Sequence, residues 1–105
     1  MFPILLSASR SEAIPDEVTS GRLFTWGSGT DGGLGLGNTT AYNSPKQVGS
    51  KTDWHICSHA RNALWAVDAA GKLYSCGLNA NGQLGHGNTT NISTLAQVGS
   101  LTNWL

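Results

Sequence analysis

Charged side chains are scarce in this chain, where they make up 11% of 105 residues and sum to a formal net charge of zero. An ordinary soluble domain carries about a quarter charged residues. A nucleic-acid binder needs a basic patch or stripe to neutralise phosphates, and a membrane-surface protein needs a polybasic segment. We therefore expect neither a nucleic acid nor a membrane among the partners.

Cysteine and long apolar runs are also scarce. The two cysteines, Cys57 and Cys76, are too few for a disulfide framework and lack the spacing of metal ligands. The apolar start of the chain, residues 1–6, is short, contains Pro3 and follows no basic residue. A signal peptide needs a longer apolar stretch with leading charge, and a membrane helix needs about 20 apolar residues. The sequence predicts neither segment and leaves the cellular location open.

No set of residues with catalytic spacing is present. The three histidines, His55, His59 and His86, stand apart from any nucleophile or acidic cluster, and none is repeated in the sequence. A metal site needs converging ligands at suitable spacing. We expect no enzyme activity, no cofactor, no metal and no small-molecule substrate.

What the chain does contain is an internal repeat of 50 residues. Residues 21–55 align with residues 71–105 without a gap, and 16 of the 35 aligned pairs are identical. A fixed period of about 20–50 residues marks a repeat architecture, in which one unit cannot bury its apolar face alone. The repeat also lets each copy serve as a control for the other.

Each repeat has the pattern of short strands joined by turns. Runs rich in apolar and β-branched residues predict strands at 23–26, 47–48, 54–57 and 64–67, with copies at 73–76 and 97–98. A turn at 69–72 closes the first unit, and residues 27–45 are too rich in glycine for a helix. Four antiparallel strands in about 50 residues is the size of a propeller blade.

Two glycine patterns suggest ligand sites that the second repeat argues against. Residues 27–32 match the dinucleotide-binding pattern G-x-G-x-x-G, but the middle glycine becomes Asn79 in the copy and no crossover helix follows. Residues 31–38 are similar to a calcium-binding nonapeptide repeat, but Asp31 becomes Asn81 and the spacing is wrong. Tight turns explain the shared glycines better.

The run Leu23-Phe24-Thr25-Trp26-Gly27, followed by Gly32 and by Leu34-Gly35-Leu36-Gly37-Asn38, resembles the regulator of chromosome condensation repeat family. The second copy resembles it more closely through Asn79 and Asn81-Gly82-Gln83-Leu84-Gly85. The resemblance covers residues 21–105 and implies a β-propeller of four-stranded blades. Ala60 and Ala63 stand where the family usually has glycine and histidine. The exchange-factor activity of the founding member does not follow, since the signature is one of packing.

We assign the repeated positions to packing and the loops between them to interaction. The tryptophans could form a sugar-binding platform, but Trp54 and Trp104 are equivalent positions, which favours a core role. The packing positions are Trp26, Gly27, Gly32, Leu34, Gly35, Gly37, Trp54, Gly77, Gly82, Leu84, Gly85, Gly87 and Trp104. The candidate interaction loops contain Asp31, Asn38, Tyr42, Asn81, Asn88 and Ile92.

The predicted fold is therefore all-β, with two tandem four-stranded propeller-type blades, the second incomplete. We divide the chain into a non-repeating arm at 1–20, a first repeat at 21–70 and a truncated second repeat at 71–105. An open pair of blades leaves apolar flanks and strand edges that attract partners. The arm could cap the open side, or partner chains could complete it.

The sequence favours a non-catalytic structural or protein–protein interaction module. Its partners would be further copies of itself or a larger protein that completes the propeller, and a virion component is one setting suggested by analogy with phage-like repeats. The alternatives are a module whose Gly-Asn-Thr loops bind a glycan or an anion through backbone N–H groups, and a fragment of a longer propeller regulator.

Overall fold

The computed structural model describes residues 20–105 and the backbone of residues 4–6. As predicted, this part of the chain is all-β, with one 3₁₀ turn at Thr30–Gly32. No helix in it is long and apolar enough to cross a membrane. Its strands are β1 (Ile4–Leu6), β2 (Arg22–Gly27), β3 (Tyr42–Gln47), β4 (Trp54–Ala60), β5 (Ala63–Asp68), β6 (Leu73–Gly77) and β7 (Ile92–Gln97).

The strands form two antiparallel sheets that are offset from the sequence repeats. The first sheet has the order β1-β2-β3, and the second has the order β4-β5-β6-β7. The second sheet thus takes two strands from each repeat, so the strands of the second repeat complete a four-stranded blade. Short turns cause this grouping, because they join β4 to β5 and β5 to β6 as antiparallel hairpins. Residues 48–53, which connect β3 to β4, cross from the first sheet to the second.

Strand β1 occupies in the first sheet the place that β5 has in the second. Ile4 is opposite Phe24 on β2, and Ala66 of β5 is opposite Tyr74 on β6. Phe24 and Tyr74 are equivalent positions of the two repeats. The rest of the predicted arm at 1–20 lies outside the described residues, apart from residue 20, and its role as a cap stays a prediction.

Strand β3 corrects the sequence-based boundary of the first long loop. We expected a strand only at residues 47–48, but β3 begins at Tyr42 and contains Pro45. The strand lies at the edge of its sheet, where a proline need not donate to a neighbour. The equivalent strand β7 pairs with β6 in the same register, since Gly27 faces Tyr42 as Gly77 faces Ile92.

The main core lies between the two sheets. Alternation along β2 buries Leu23 and Thr25 completely and leaves their neighbours Arg22, Phe24 and Trp26 half-buried. From the second sheet, β5 and β6 supply the facing apolar side chains. The buried cluster consists of Leu23, Val48, Trp54, Leu64, Ala66 and Cys76.

Candidate interaction site

The loop after β2 (residues 28–41, the first loop) and the loop after β6 (residues 78–91, the second loop) are built alike. In each, a buried hydroxyl holds the carbonyl of a buried leucine. Thr25 Oγ1 donates to Leu34 O at 2.7 Å, and Ser75 Oγ donates to Leu84 O at 2.8 Å. Both leucines are 1% exposed. A conservative Thr–Ser exchange therefore keeps the same bond in both repeats.

The signature glycines hold both loops in backbone conformations that side chains rarely adopt. The most informative pair is Gly32 and Gly82, whose φ angles are 81° and 73°. Both sit where a turn bond closes, because Gly35 N–H donates to Gly32 O and Gly85 N–H donates to Gly82 O, each at 3.1 Å. Equivalent positive φ angles occur at Gly27 and Gly77, Gly35 and Gly85, and Gly37 and Gly87.

The two loops close differently at one position, which is Gly29 in the first and Asn79 in the second. A Cβ at Gly29 would collide with the carbonyl oxygen of Thr40, so the first loop closes backbone against backbone. Asn79 is fully buried and closes the second loop through its side chain. Its Nδ2 lies within 3.1 Å of Asn88 O, Asn88 Oδ1 and Thr90 O, and its Oδ1 accepts from Leu84 N–H at 3.0 Å.

The predicted loop residues Asn38 and Asn88 use their side chains inside their own loops. Asn38 Oδ1 accepts from Thr40 N–H at 3.0 Å, and its Nδ2 donates to Tyr42 Oη at 3.2 Å. Asn88 Oδ1 accepts from Thr90 N–H at 3.1 Å. These amides act as Asx-type turn formers, so the loops are shaped by the residues that we considered for interaction.

The first loop docks on the second sheet, which makes it the contact between the two repeats. Gly37 N–H donates to Ser93 O on β7 at 2.8 Å. A Cβ at Gly32 would lie 2.7 Å from Ser93 Cα. The Asp31 carboxylate lies 3.3 Å from Asn91 Nδ2 and 3.4 Å from Asn62 Nδ2. Of the predicted loop residues, Asp31 thus lies at this contact through its side chain, and Ile92 lies there through its carbonyl, 3.0 Å from the position of a Cβ at Gly32.

The turn between β4 and β5 is wedged between two glycines. Arg61 and Asn62 have φ angles of 49° and 59°, as a two-residue hairpin of the I′ type requires. A Cβ at either Gly33 or Gly77 would collide with the carbonyl oxygen of Asn62. Sequence analysis did not single out Asn62 or Ser93, because neither lies in a repeated motif.

The equivalent tryptophans have different environments. Trp54 is 3% exposed, and its ring meets that of Tyr74 edge-on at 5.0 Å. Trp104 is 45% exposed, and the nearby Leu101 and Leu105 are exposed by 56% and 58%. We assigned both tryptophans to packing. Trp54 lies in the core, whereas Trp104 forms with these leucines an exposed apolar segment.

A buried carboxylate fixes the turn that follows β5. Asp68, 1% exposed, accepts at Oδ1 from the N–H groups of Ala70 and Lys72, both at 3.0 Å. Its Oδ2 lies 3.1 Å from Lys51 Nζ, which also meets Asp53 at 2.9 Å. Burial by itself would raise the pKa of Asp68, but the hydrogen bonds from Lys72 and Lys51 outweigh it and hold the pKa below 3.8.

The cysteines and histidines show no shared site in the described residues. Cys76 is fully buried, and burial raises its pKa to about 12. It thus fills a core position, as expected for the counterpart of Trp26. His86 Nε2 lies 2.9 Å from Ser75 Oγ, and burial lowers the pKa of His59. Residues 20–105 contain no group of three or more acidic, histidine or cysteine residues that could hold a metal ion.

Among the hollows of the described surface, two involve residues of the predicted sets. A largely apolar one of about 230 Å³ lies between the sheets, against Trp54, Tyr74 and Lys51. An open groove of about 530 Å³ lies on the first sheet and is lined by Trp26, Gly27, Ala41, Tyr42 and Asn43. The groove brings together three residues of the predicted sets, Trp26, Gly27 and Tyr42.

Comparison with known proteins agrees with this geometry. No curated protein matches the chain. A family model, described as the regulator of chromosome condensation (RCC1) repeat, matches residues 20–59 and 70–100, which is more than half of the chain. The two matches cover both of the loops described above and the strands that precede them. The chain therefore belongs to the regulator of chromosome condensation repeat family, and its two sheets are blades of the β-propeller type.

Proposed function

We propose that the chain is a non-catalytic interaction module that assembles with other protein chains through its exposed blade surfaces. The single observation that supports this most is the difference between Trp54 and Trp104, which are 3% and 45% exposed at equivalent positions. In one repeat the indole is buried in the core cluster. In the other, the indole lies beside exposed leucines, and contiguous apolar surface of this kind marks protein interaction sites.

The low charge of the chain supports an interface of apolar contacts and hydrogen bonds. The net charge is zero, and the exposed segment at 101–105 carries no charged side chain. The chain therefore lacks the excess positive charge that steers a protein towards a nucleic acid or an anionic membrane. The hydrogen-bonding groups of strand edges and loops supply the polar part of the contact.

The test is the native mass of the chain, measured by light scattering after gel filtration at several concentrations. The wild type is expected to be a discrete oligomer with β-type circular dichroism. Trp104→Ser is expected to stay folded and to lower the mass. The matched variant Trp54→Ser removes a core side chain and is expected to unfold the protein. A folded wild-type monomer at every concentration would contradict the proposal.

The alternatives from the sequence stay predictions. A glycan or anion module would use the loops around Asn38 and Asn88, but these side chains already bond within their loops. A virion setting and a longer parent propeller also stay predictions, and no contact described above favours either.

A further inference from the structure

We propose that the hollow between the two sheets binds a small alkylammonium ion, held by two aromatic rings and two carboxylates. The ammonium group of Lys51 already lies among these four groups and shows how they hold a cation. The site is independent of the proposed assembly with other chains. Its ligand would be bound and not converted, so the expectation of no substrate is unchanged.

Two aromatic rings form walls around the ammonium group of Lys51. The rings of Trp54 and Tyr74 meet edge-on, with their centroids 5.0 Å apart and an angle of 83° between their planes. Lys51 Nζ lies over both rings, 5.5 Å from the centroid of Trp54 and 5.7 Å from that of Tyr74. Cation–π attraction acts within about 6 Å of a ring centroid, and pairs of rings arranged in this way are suited to organic ammonium ions.

Two carboxylates complete the surroundings of the ammonium group. Lys51 Nζ lies 2.9 Å from Asp53 Oδ1 and 3.1 Å from Asp68 Oδ2. Asp68 is 1% exposed, and Tyr74 Oη donates to the same Oδ2 at 3.4 Å. Burial by itself would lower the pKa of Lys51, but its hydrogen bonds to Asp53 and Asp68 outweigh burial and raise the pKa above 10.5. We call Asp53, Trp54, Asp68 and Tyr74 the cation cage.

The cation cage lies beside a cavity that suits the alkyl part of a ligand. The cavity has a volume of about 230 Å³, and Lys51, Trp54 and Tyr74 line it together with Val48 and Leu95. All of its lining residues lie between 35 and 95, so both repeats of one chain form it. A mostly apolar lining with a few polar groups is typical of small-molecule sites.

Charge decides which kind of small molecule the site favours. The carboxylates of Asp53 and Asp68 face the single ammonium group of Lys51, so these three side chains leave one negative charge. An anionic ligand would be repelled, and a cationic one is attracted. The lysine itself can turn out to solvent, because it lies in the crossover at residues 48–53 and its side chain is 34% exposed. It therefore competes with an external ammonium ion for the cation cage.

The polar groups of this cluster are not part of the packing that the two repeats share. At three positions, the other repeat has a residue without the charge or the hydroxyl. The equivalents of Lys51, Asp53 and Tyr74 are Leu101, Asn103 and Phe24. The tryptophan, in contrast, is the same in both repeats. The repeat signature thus accounts for the indole but not for the charges around it.

An NMR titration of the whole chain with butylammonium chloride tests the site. Butylammonium has the carbons and the ammonium group of a lysine side chain, and butan-1-ol is its uncharged analogue. Butylammonium is expected to give saturable shifts of the Trp54 indole N–H and of the backbone amides of Ala70 and Lys72, which bond to Asp68. Butan-1-ol is expected to bind at least about tenfold more weakly, and sodium chloride to give no saturable shift.

Four variants separate the cage from the cavity. Asp53→Asn introduces the residue of the other repeat, so the fold is expected to be kept and the affinity for butylammonium to fall several-fold. Lys51→Ala removes the competing ammonium group and is expected to raise the affinity about tenfold. Thr94→Phe narrows the cavity from an exposed strand position and is expected to prevent binding. Ser44→Phe, at the equivalent position of β3, is the matched control and should bind as the wild type does.

The ammonium site has clear contradicting results. It would be overturned if the wild type showed no saturable shift, if butan-1-ol bound as tightly, or if Asp53→Asn and Thr94→Phe left the affinity unchanged. Binding by Lys51→Ala alone would overturn it too, since the lysine would then never leave the cation cage. If Lys51→Ala does not fold, the other measurements decide. None of these results depends on the oligomeric state, which tests the proposed function separately.

Discussion

Ser93 occupies the space that a side chain at Gly32 would need, with its Cα 2.7 Å from the position of a Cβ there. The two residues come from different repeats, since Gly32 ends the 3₁₀ turn of the first loop and Ser93 lies on β7 of the second sheet. Because the backbone of the loop lies directly on the strand, the blade-to-blade contact is sensitive to a single methyl group. The equivalent Gly82 has a similar positive φ but no such neighbour among the described residues. Comparing the two glycines therefore separates the destabilisation caused by a steric clash from that caused by the backbone conformation.

Gly32→Ala is expected to destabilise the protein by about 3 kcal/mol, because the methyl group both collides with β7 and is held at a positive φ. Gly82→Ala carries only the conformational cost, about 1 kcal/mol. Urea unfolding of both variants, followed by circular dichroism, measures the difference. Equal losses in the two variants would show that the contact with Ser93 does not limit stability.

Asn79→Ala is expected to cost about 3 kcal/mol, since it leaves the buried Leu84 N–H and the part-buried carbonyls of Asn88 and Thr90 without their partner. Asn38→Ala in the other repeat removes an exposed turn-forming amide and should cost about 1 kcal/mol. Denaturant midpoints of the two variants test the comparison. A small loss for Asn79→Ala would mean that water replaces its hydrogen bonds in the second loop.

The buried carboxylate of Asp68 should make stability fall in acid. Its pKa is held below 3.8 in the folded protein, so its contribution is fully present well above that value and is lost as the pH falls through the lowered pKa. Asp68→Asn should lower stability at neutral pH and flatten this acid dependence. Thermal melts from neutral pH down to about pH 3 measure both effects. A parallel shift of the two curves would assign the acid dependence to other carboxylates.

Arg61→Asn is expected to stabilise the protein by about 0.5–1 kcal/mol. Arg61 has a φ of 49° in the turn between β4 and β5. Asparagine tolerates this conformation far better than arginine does. Arg22→Asn, on a strand with extended backbone, is the control and should not stabilise. A loss of stability in Arg61→Asn would show that the arginine side chain makes a contact that outweighs its backbone cost.

The sequence by itself determined the family, the all-β class, most strand positions and the spacing of the turns. Each of these depends on local chemistry that the repeat shows twice: apolar alternation, glycines at positive φ, and leucines that fill the core. Leu34 and Leu84, which have the same place in the two repeats, are both 1% exposed. The start of β3 was not predictable, because Pro45 is unfavourable in a strand except at an edge, and the sequence does not show which strands are edges.

Only the tertiary structure decided which strands form a blade and which surfaces stay open. The repeat unit of 50 residues is a unit of sequence, whereas the four-stranded sheet joins β4 and β5 of one repeat to β6 and β7 of the next. Hairpin closure is local and favours this grouping over a sheet made from one repeat. Equivalent residues therefore have different neighbours. The indole of Trp54 is buried and that of Trp104 is exposed. Gly32 packs against Ser93, whereas Gly82 has open space where a Cβ would lie. These differences depend on contacts between distant segments, which identical local sequences cannot encode.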